Sequence, residues 1–159
     1  MNYRLNRLLA SSGAPVIRLC EGRYGITRRE WRLIAVLAEQ GPLSPSALAK
    51  STHLDRARVS ALITRLVNKK LLVRRPVDGD GRRAEVVLSP EGRVVYDALI
   101  PLSMTLQREL LNVLTLRECE IFDAAIRKLT DAAERMVASR PVAEKADRQH
   151  GGSRRLRPG

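Results

Sequence analysis

Aromatic side chains are scarce in this sequence and account for only 3% of its 159 residues. Leu, Ile, Val and Ala must therefore fill most of the hydrophobic core, and Leu and Ala both favour α-helices. Because a typical domain has about 100–200 residues, the composition predicts one mainly helical unit.

Signals of catalytic and metal chemistry are also missing. Two cysteines and two histidines are scattered along the chain, which excludes a disulfide framework and a metal site of recognisable spacing. The sequence has no glycine-rich phosphate loop, no HExxH motif and no nucleophile elbow. Asp78 and Asp80 form an acidic pair, but the arginines beside them disfavour a bound cation. We therefore predict no enzyme, no metal and no cofactor.

Long apolar runs are absent as well. The sequence holds no stretch of about 18 apolar residues, so it predicts no transmembrane helix. The first residues lack the apolar core of a secretory signal. These absences and the low cysteine content predict a cytoplasmic protein without a membrane partner.

Basic residues outnumber acidic ones, 29 to 17, which gives a net charge of +12 and an isoelectric point near 10.9. The excess is local. Residues 51–83 hold nine Lys or Arg against three Asp, whereas residues 90–139 hold six Lys or Arg against eight acids. A basic segment beside a neutral scaffold indicates a protein that binds a polyanion.

Capping signals divide the first half of the chain into helices. A helix that breaks or kinks near Pro15 is expected over residues 2–20. Thr27 and Glu30 form a capping box that opens the next helix, and Gly41-Pro42 ends it. Ser44-Pro45 opens a short helix, and Asp55 is the expected N-cap of the helix that follows a tight turn.

The helix predicted over residues 55–69 is strongly amphipathic. Its inner face holds Val59, Leu62, Ile63 and Leu66. The opposite face is small, polar and cationic, with no acid, and consists of Ala57, Arg58, Ser60, Ala61, Thr64, Arg65 and Asn68. A solvated helix face usually mixes acids with bases, so this composition favours contact with an anion.

A β-hairpin and two long helices complete the pattern. Strands are predicted at residues 71–75 and 84–88, with an Arg-bearing turn between them. Ser89-Pro90 caps a long helix that Pro101 is expected to kink or interrupt, and a second capping box at Thr115 opens the last helix. Residues 140–159 lose this periodicity and are predicted to form a disordered basic tail.

The order of these elements predicts a winged helix-turn-helix, a mainly α fold with a small β-hairpin wing (α+β). A major groove about 12 Å wide admits one helix, and small Ala57 and Ala61 let the backbone approach the bases. Arginines can donate to guanine or phosphate, and an Arg at the hairpin tip suits the negative minor groove. We therefore predict double-stranded DNA as the partner.

From Tyr24 to Gly92 the sequence resembles the MarR family of ligand-responsive transcription regulators. The matching segments are Tyr24-Gly25-Ile26-Thr27, Trp31, Gly41-Pro42-Leu43-Ser44, Leu48-Ala49-Lys50, Leu54-Asp55-Arg56, Asp80-Gly81-Arg82 and Leu88-Ser89-Pro90-Glu91-Gly92-Arg93. The resemblance implies that Arg82 enters the minor groove, that Asp80 braces it and that Arg83 contacts phosphate. One departure is Lys69-Lys70-Leu71, where the family usually has a glycine.

The resemblance also implies an architecture. Residues 1–26 and 90–139 would form the N- and C-terminal helical dimerisation region, residues 27–89 the DNA-binding domain and residues 140–159 the tail. The apolar stripes of the terminal helices agree with a homodimer, which would bind a roughly palindromic operator, most simply as a repressor.

Members of the family bind small, often aromatic and anionic effectors. The resemblance implies Arg18, Arg23, Tyr24 and Trp31 as candidate ligand residues, because a cation beside aromatic rings can hold a carboxylate and stack a ring. The same residues could instead be core or solvated side chains. Two alternatives remain open: a redox-sensing regulator that uses Cys20, and an architectural DNA- or RNA-binding protein without an effector.

Overall fold

A computed structural model describes residues 1–77 and 80–139, apart from the side chains of residue 77 and residues 80–83. The described chain is mainly helical with one two-stranded hairpin, as predicted. Its elements in order are α1 (Asn2–Tyr24), α2 (Arg28–Gln40), α3 (Pro45–Thr52), α4 (Arg56–Asn68), β1 (Leu72–Val77), β2 (Asp80–Leu88), α5 (Pro90–Leu111) and α6 (Leu116–Ser139).

The helix starts follow the predicted caps. Thr27 accepts a hydrogen bond from the backbone N of Glu30, and Glu30 accepts one from the backbone N of Thr27, which completes the capping box of α2. Ser44 accepts from the backbone N of Ala47, and Asp55 accepts from that of Arg58 at 2.8 Å. Side chains that satisfy free N–H groups fix where α2, α3 and α4 begin.

The core lies between α2, α3 and α4. The predicted inner face of α4 is buried along its whole length, from Val59 to Leu66. It packs with Leu33, Ile34 and Leu37 of α2 and with Leu48 of α3. Because the inner face is held in this way, the opposite face of α4 must point outward.

The hairpin is longer than the sequence predicted. β1 and β2 are antiparallel, with Leu72 opposite Leu88 and Pro76 opposite Ala84, and the register shifts between Pro76 and Val77. Leu43, before α3, forms a bridge with Val86 of β2. The base of the hairpin is therefore fastened to the helical core.

Lys70 takes the left-handed conformation, with φ of 60°, at the end of α4. Lys70 belongs to Lys69-Lys70-Leu71, the segment that departs from the family pattern, and a lysine accepts the strain that a glycine would avoid. The turn is fixed because the carbonyl oxygen of Lys70 accepts a 2.6 Å hydrogen bond from the Ser89 hydroxyl. Ser89 in turn accepts from the backbone N of Gly92. The departure from the family pattern therefore leaves the turn into β1 intact.

The expected interruptions at Pro15 and Pro101 are absent. α1 continues through Pro15, and α5 continues through Pro101. A proline removes one helical hydrogen bond, but packing on both sides of it can keep the helix together. Val16 and Cys20 of α1 are buried directly after Pro15. The predicted break was wrong at both prolines, because the local sequence does not show such tertiary contacts. A kink at either proline stays a prediction.

The chain divides into two compact units, residues 1–110 and the residues from Leu111 onward. The first contains the hydrophobic core. In the described part of the second, no side chain of α6 is fully buried, and one face carries Phe122, Leu129 and Met136 at seven-residue spacing. The functional division at residues 26, 89 and 139 stays a prediction, and the predicted tail, residues 140–159, lies outside the described residues. None of the described helices combines the length and apolar character that crossing a membrane requires.

Candidate nucleic-acid interface

The outer face of α4 is solvent-exposed at every predicted position. The exposed residues are Ala57, Arg58, Ser60, Ala61, Thr64, Arg65 and Asn68. Two arginines and four polar or small side chains surround Ala61 at the middle of the helix, with no acid among them. The structure therefore brings these seven residues together on one accessible, cationic surface, as a helix period of 3.6 requires.

Arg58 lies in the first turn of α4, and its Nε atom is 3.7 Å from the Asp55 carboxylate. About half of the Arg58 side chain is exposed. Asp55 is also the N-cap, so its charge stabilises the helix start. An exposed surface ion pair of this kind contributes little to stability. Arg58 can therefore leave the Asp55 carboxylate and bind another anion.

Glu30 lies beneath the other end of the same face. Only 1% of its side chain is exposed, and its carboxylate is 3.1 Å from the Lys69 ammonium and 3.7 Å from Nε of Arg65. Lys69 also donates to the carbonyl oxygen of Gly25 at 2.6 Å. Burial raises the pKa of Glu30, but hydrogen bonds from Thr27 and Lys69 and the charge of Lys69 outweigh it, so the pKa lies below its ordinary value. Glu30 is therefore a buried carboxylate ion beside two cations, Arg65 of α4 and Lys69 at its C-cap.

Arg74 joins the hairpin to the outer face of α4, a contact that sequence reasoning missed. Its Nη2 atom donates to the Thr64 hydroxyl at 3.1 Å, and Thr64 donates to the carbonyl oxygen of Ser60. The guanidinium of β1 is thus fastened to the outer face of α4. The alternation of strand residues could have placed Arg74 on an outward face, but only the packing of β1 beside α4 brings it to Thr64.

The three predicted wing residues, Asp80, Arg82 and Arg83, lie on β2. Their side chains lie outside the described residues, so their roles stay predictions. Closer to the base of the hairpin, Arg75 forms an ion pair with Glu85 across the two strands. This pair supports the strand register.

Three of the four predicted ligand residues make ring contacts, and these contacts involve different partners. Arg23 lies over the ring of its neighbour Tyr24 at 5.8 Å. Trp31 stacks on Tyr96 of α5, with the two ring centroids 5.8 Å apart. The Arg93 guanidinium lies 5.4 Å from the centroid of the same Tyr96 ring. Arg18 is exposed on α1. Sequence reasoning missed Tyr96 and Arg93, which come from a distant helix.

Cys20 is fully buried in the core of the first unit. Burial is the main reason that the pKa of Cys20 is raised from 9.0 to about 11. A backbone hydrogen bond lowers the pKa by less than burial raises it, and the charge of Glu21 raises it slightly. A peroxide-sensing cysteine needs an exposed thiolate. The environment of Cys20 has the opposite properties, so the redox alternative receives no support from the structure.

Comparison with known proteins agrees with this geometry. Residues 24–83 match the model of the MarR family. The transcriptional repressor NicR of Pseudomonas putida is 28% identical over 109 residues, which is 69% of each chain. BpsR of Bordetella bronchiseptica, whose DNA binding is regulated by 6-hydroxynicotinic acid, has a TM-score of 0.70 at 24% identity, over 82% of this chain and 93% of that one.

A further solved structure, NadR in complex with 4-hydroxyphenylacetate, has a TM-score of 0.68 at 25% identity. The similarity covers 80% of this chain and 90% of that one. The matched segment begins at Tyr24 and ends at Arg83, so it contains α2, α3, α4 and most of the hairpin.

Proposed function

Because residues 24–83 match the model of the MarR family, we propose that the chain is a repressor of this family whose homodimer binds a palindromic operator and leaves it when a small aromatic acid binds. The observation that carries this proposal is the exposed, acid-free outer face of α4. One helix of this kind fits the major groove of double-stranded DNA, where its side chains can reach base edges.

The division of labour on the DNA follows from side-chain chemistry. Arg58 and Arg65 lie on the exposed face of α4 and can donate to guanine or to phosphate. Arg74, held by Thr64 beside the helix, suits a phosphate at the edge of the groove. Arg82, braced by Asp80, would enter the minor groove, and Arg83 would contact phosphate.

The proposed dimer rests on apolar surface that one chain leaves exposed. Phe122, Leu129 and Met136 form a stripe along α6, and Leu8 and Leu9 are exposed on α1. Large exposed apolar patches of this kind mark interaction sites. A two-fold dimer would cover them and present two copies of α4 about one DNA turn apart, which accounts for a palindromic operator.

The proposed effector is an aromatic carboxylate. NadR, at 25% identity, binds 4-hydroxyphenylacetate. This chain offers two cation-aromatic pairs, Arg23 with Tyr24 and Arg93 with Tyr96, the latter stacked on Trp31. Either could hold a carboxylate and stack a ring. An effector that binds the DNA-free form more tightly lowers DNA affinity by the same factor.

The test is a fluorescence anisotropy titration on the duplex that the wild-type chain enriches from a randomised pool. Arg58→Ala, Arg65→Ala and Arg82→Ala are each expected to weaken binding by about 1–3 kcal/mol if they contact bases. Arg127→Ala, which removes an exposed arginine paired with Asp123 on α6, is the control and is expected to leave affinity unchanged.

Adding 4-hydroxyphenylacetate or related aromatic acids tests the effector. Release by one of them supports the full proposal, and indifference to all of them contradicts the effector part alone. Unchanged binding in all three arginine variants would contradict the placement of the DNA on α4 and the wing. Equal affinity for enriched and scrambled duplexes would favour the architectural alternative, which the net charge of +12 also allows.

A further inference from the structure

Glu30 belongs to α2, but its carboxylate contacts the recognition helix α4 from below. Its oxygens lie 3.7 Å from Nε of Arg65 and 3.1 Å from the Lys69 ammonium. Its side chain is 1% exposed, whereas that of Arg65 is 58% exposed. One end of the Arg65 guanidinium therefore faces a buried anion while the rest of the side chain extends into solvent.

We propose that Glu30 is the positioning residue for Arg65, and that it presents the two terminal nitrogens of this guanidinium to a guanine in the major groove. This inference rests on the proposed function, because it assumes that α4 enters DNA. A guanine is bound most specifically by a bidentate arginine, whose planar fork meets O6 and N7 together. The contact with Glu30 is on the Nε side, so it leaves the terminal fork pointing away from the carboxylate.

The Glu30 carboxylate is itself held in place by several hydrogen bonds. The backbone N of Thr27 donates to it at 2.8 Å, as part of the capping box of α2. Lys69 donates to both of its oxygens and also to the carbonyl oxygen of Gly25. Contacts from α2 and α4 thus fix the anion before any DNA arrives.

On electrostatic grounds, the contact between Glu30 and Arg65 is not expected to weaken DNA binding. One carboxylate is shared between Arg65 and Lys69, so the cluster keeps a positive charge toward the outer face of α4. An exposed arginine otherwise loses rotamer freedom when it binds, which costs roughly 0.5–1.5 kcal/mol per side chain. Orientation by Glu30 removes part of this cost in advance. The result is a gain in discrimination between bases rather than in attraction to phosphates.

The experiment compares Glu30→Gln with Glu118→Gln. Glu118 has the same capping role in α6, where its carboxylate accepts from the backbone N of Thr115 at 2.8 Å, but no cation pairs with it among the described residues. Glutamine can accept the capping hydrogen bond in both variants. Only Glu30→Gln, however, removes the anion beside Arg65. Melting temperatures check that both variants are folded.

The readout is the ratio of affinities for the duplex enriched from a randomised pool and for a scrambled duplex of the same composition. Glu30→Gln is expected to reduce this ratio about 3- to 10-fold, with an unchanged salt dependence, because Arg65 keeps its charge. Glu118→Gln is expected to leave the ratio unchanged. In an Arg65→Lys background, which has no fork to orient, Glu30→Gln is expected to have no further effect.

A second measurement does not depend on the folding of Glu30→Gln. In the wild-type chain at neutral pH, the Nε–H NMR signal of Arg65, identified by its loss in Arg65→Lys, should exchange with water more slowly than that of exposed Arg117. Equally fast exchange would overturn the inference. An unchanged affinity ratio in folded Glu30→Gln would also overturn the inference. An equal fall in affinity for both duplexes would overturn it too, because that is the effect of a merely structural role. If the wild-type chain itself enriches no duplex, the proposed function fails and this inference fails with it.

Discussion

Gly92 lies where the first turn of α5 meets the backbone before β1. A Cβ atom at this position would be 2.1 Å from the carbonyl oxygen of Leu71, closer than any real contact allows. Gly92→Ala is therefore expected to lower the free energy of unfolding by about 1–3 kcal/mol, the usual cost of overpacking, measured by urea denaturation. Gly22→Ala in α1 is the matched control, because nothing lies within 4 Å of its added methyl group.

Gly22→Ala is expected to stabilise the chain by about 0.5–1 kcal/mol, since alanine is the better helix former. Gly92→Ala and Gly22→Ala are therefore expected to change the free energy of unfolding in opposite directions. This difference separates the steric effect at Gly92 from the higher helix propensity of alanine. Equal effects of the two changes would mean that α5 does not pack against Leu71 as closely as the structure shows.

Cys20 gives a pH-dependent prediction at the same scale. Its pKa is raised from 9.0 to about 11 in the folded chain, so the folded state favours the neutral thiol. Its contribution to stability is fully present below pH 9 and is lost as the pH rises toward 11. Between these values the wild-type chain should lose on the order of 2 kcal/mol more than Cys20→Ala.

Chemical denaturation at several pH values measures this difference, and Cys119 is present in both chains and cancels. At neutral pH, hydrogen peroxide is expected to leave DNA binding unchanged, because a buried neutral thiol reacts slowly. Release of DNA by peroxide that disappears in Cys20→Ala would restore the redox alternative.

At the scale of elements, the proposed function requires the outer face of α4 to approach DNA closely. Ala61 is exposed in the middle of this surface. Ala61→Gln inserts a longer side chain at the point of closest approach and is expected to reduce DNA affinity tenfold or more, about 1.4 kcal/mol. Stability should change by less than about 0.5 kcal/mol, since the position is exposed and glutamine is a good helix former.

Anisotropy titration and thermal melts measure the two effects of Ala61→Gln. Ala98→Gln, at an exposed alanine of α5, is the control and should change neither quantity. If affinity is unchanged in Ala61→Gln, then α4 does not enter the groove and the proposed interface is wrong.

The helix starts and the buried face of α4 could be predicted because they depend on neighbouring residues. Thr27 with Glu30, and Asp55 with Arg58, are three residues apart. The contacts that organise the candidate site depend instead on packing between elements. Lys69 is 39 residues from Glu30, so no local pattern indicates their contact.

The partners of the predicted ligand residues could not be predicted for a related reason. Trp31 stacks on Tyr96 of α5, which is distant from it in the sequence. Proline propensity was likewise overridden, because buried neighbours keep α1 helical through Pro15. Local preference is a weak guide wherever tertiary contacts compete with it.

At the scale of the whole molecule, the apolar stripe of α6 predicts the oligomeric state. Phe122 is 42% exposed in the single chain and lies on the same face as Leu129 and Met136. Phe122→Glu would bury a charge in the proposed dimer, which costs far more than the loss of one contact. The variant is expected to shift from dimer to monomer in sedimentation equilibrium and to lose affinity for palindromic DNA.

The control for Phe122→Glu is Lys128→Glu. It introduces the same acid on α6, but roughly 120° away around the helix axis. This variant should remain a dimer. A wild-type chain that sediments as a monomer, or a Phe122→Glu variant that stays dimeric, would contradict the proposed assembly on α6.

The unbroken passage of α1 and α5 through their prolines has a mechanical consequence. Pro15 cannot donate a hydrogen bond to the carbonyl oxygen of Ser11, and Pro101 cannot donate one to that of Asp97. α1 and α5 therefore each lack one backbone hydrogen bond. Each helix is therefore expected to bend more easily at its proline than at its other residues. The turns on either side keep their own hydrogen bonds, so a tilt between them would occur at these two positions.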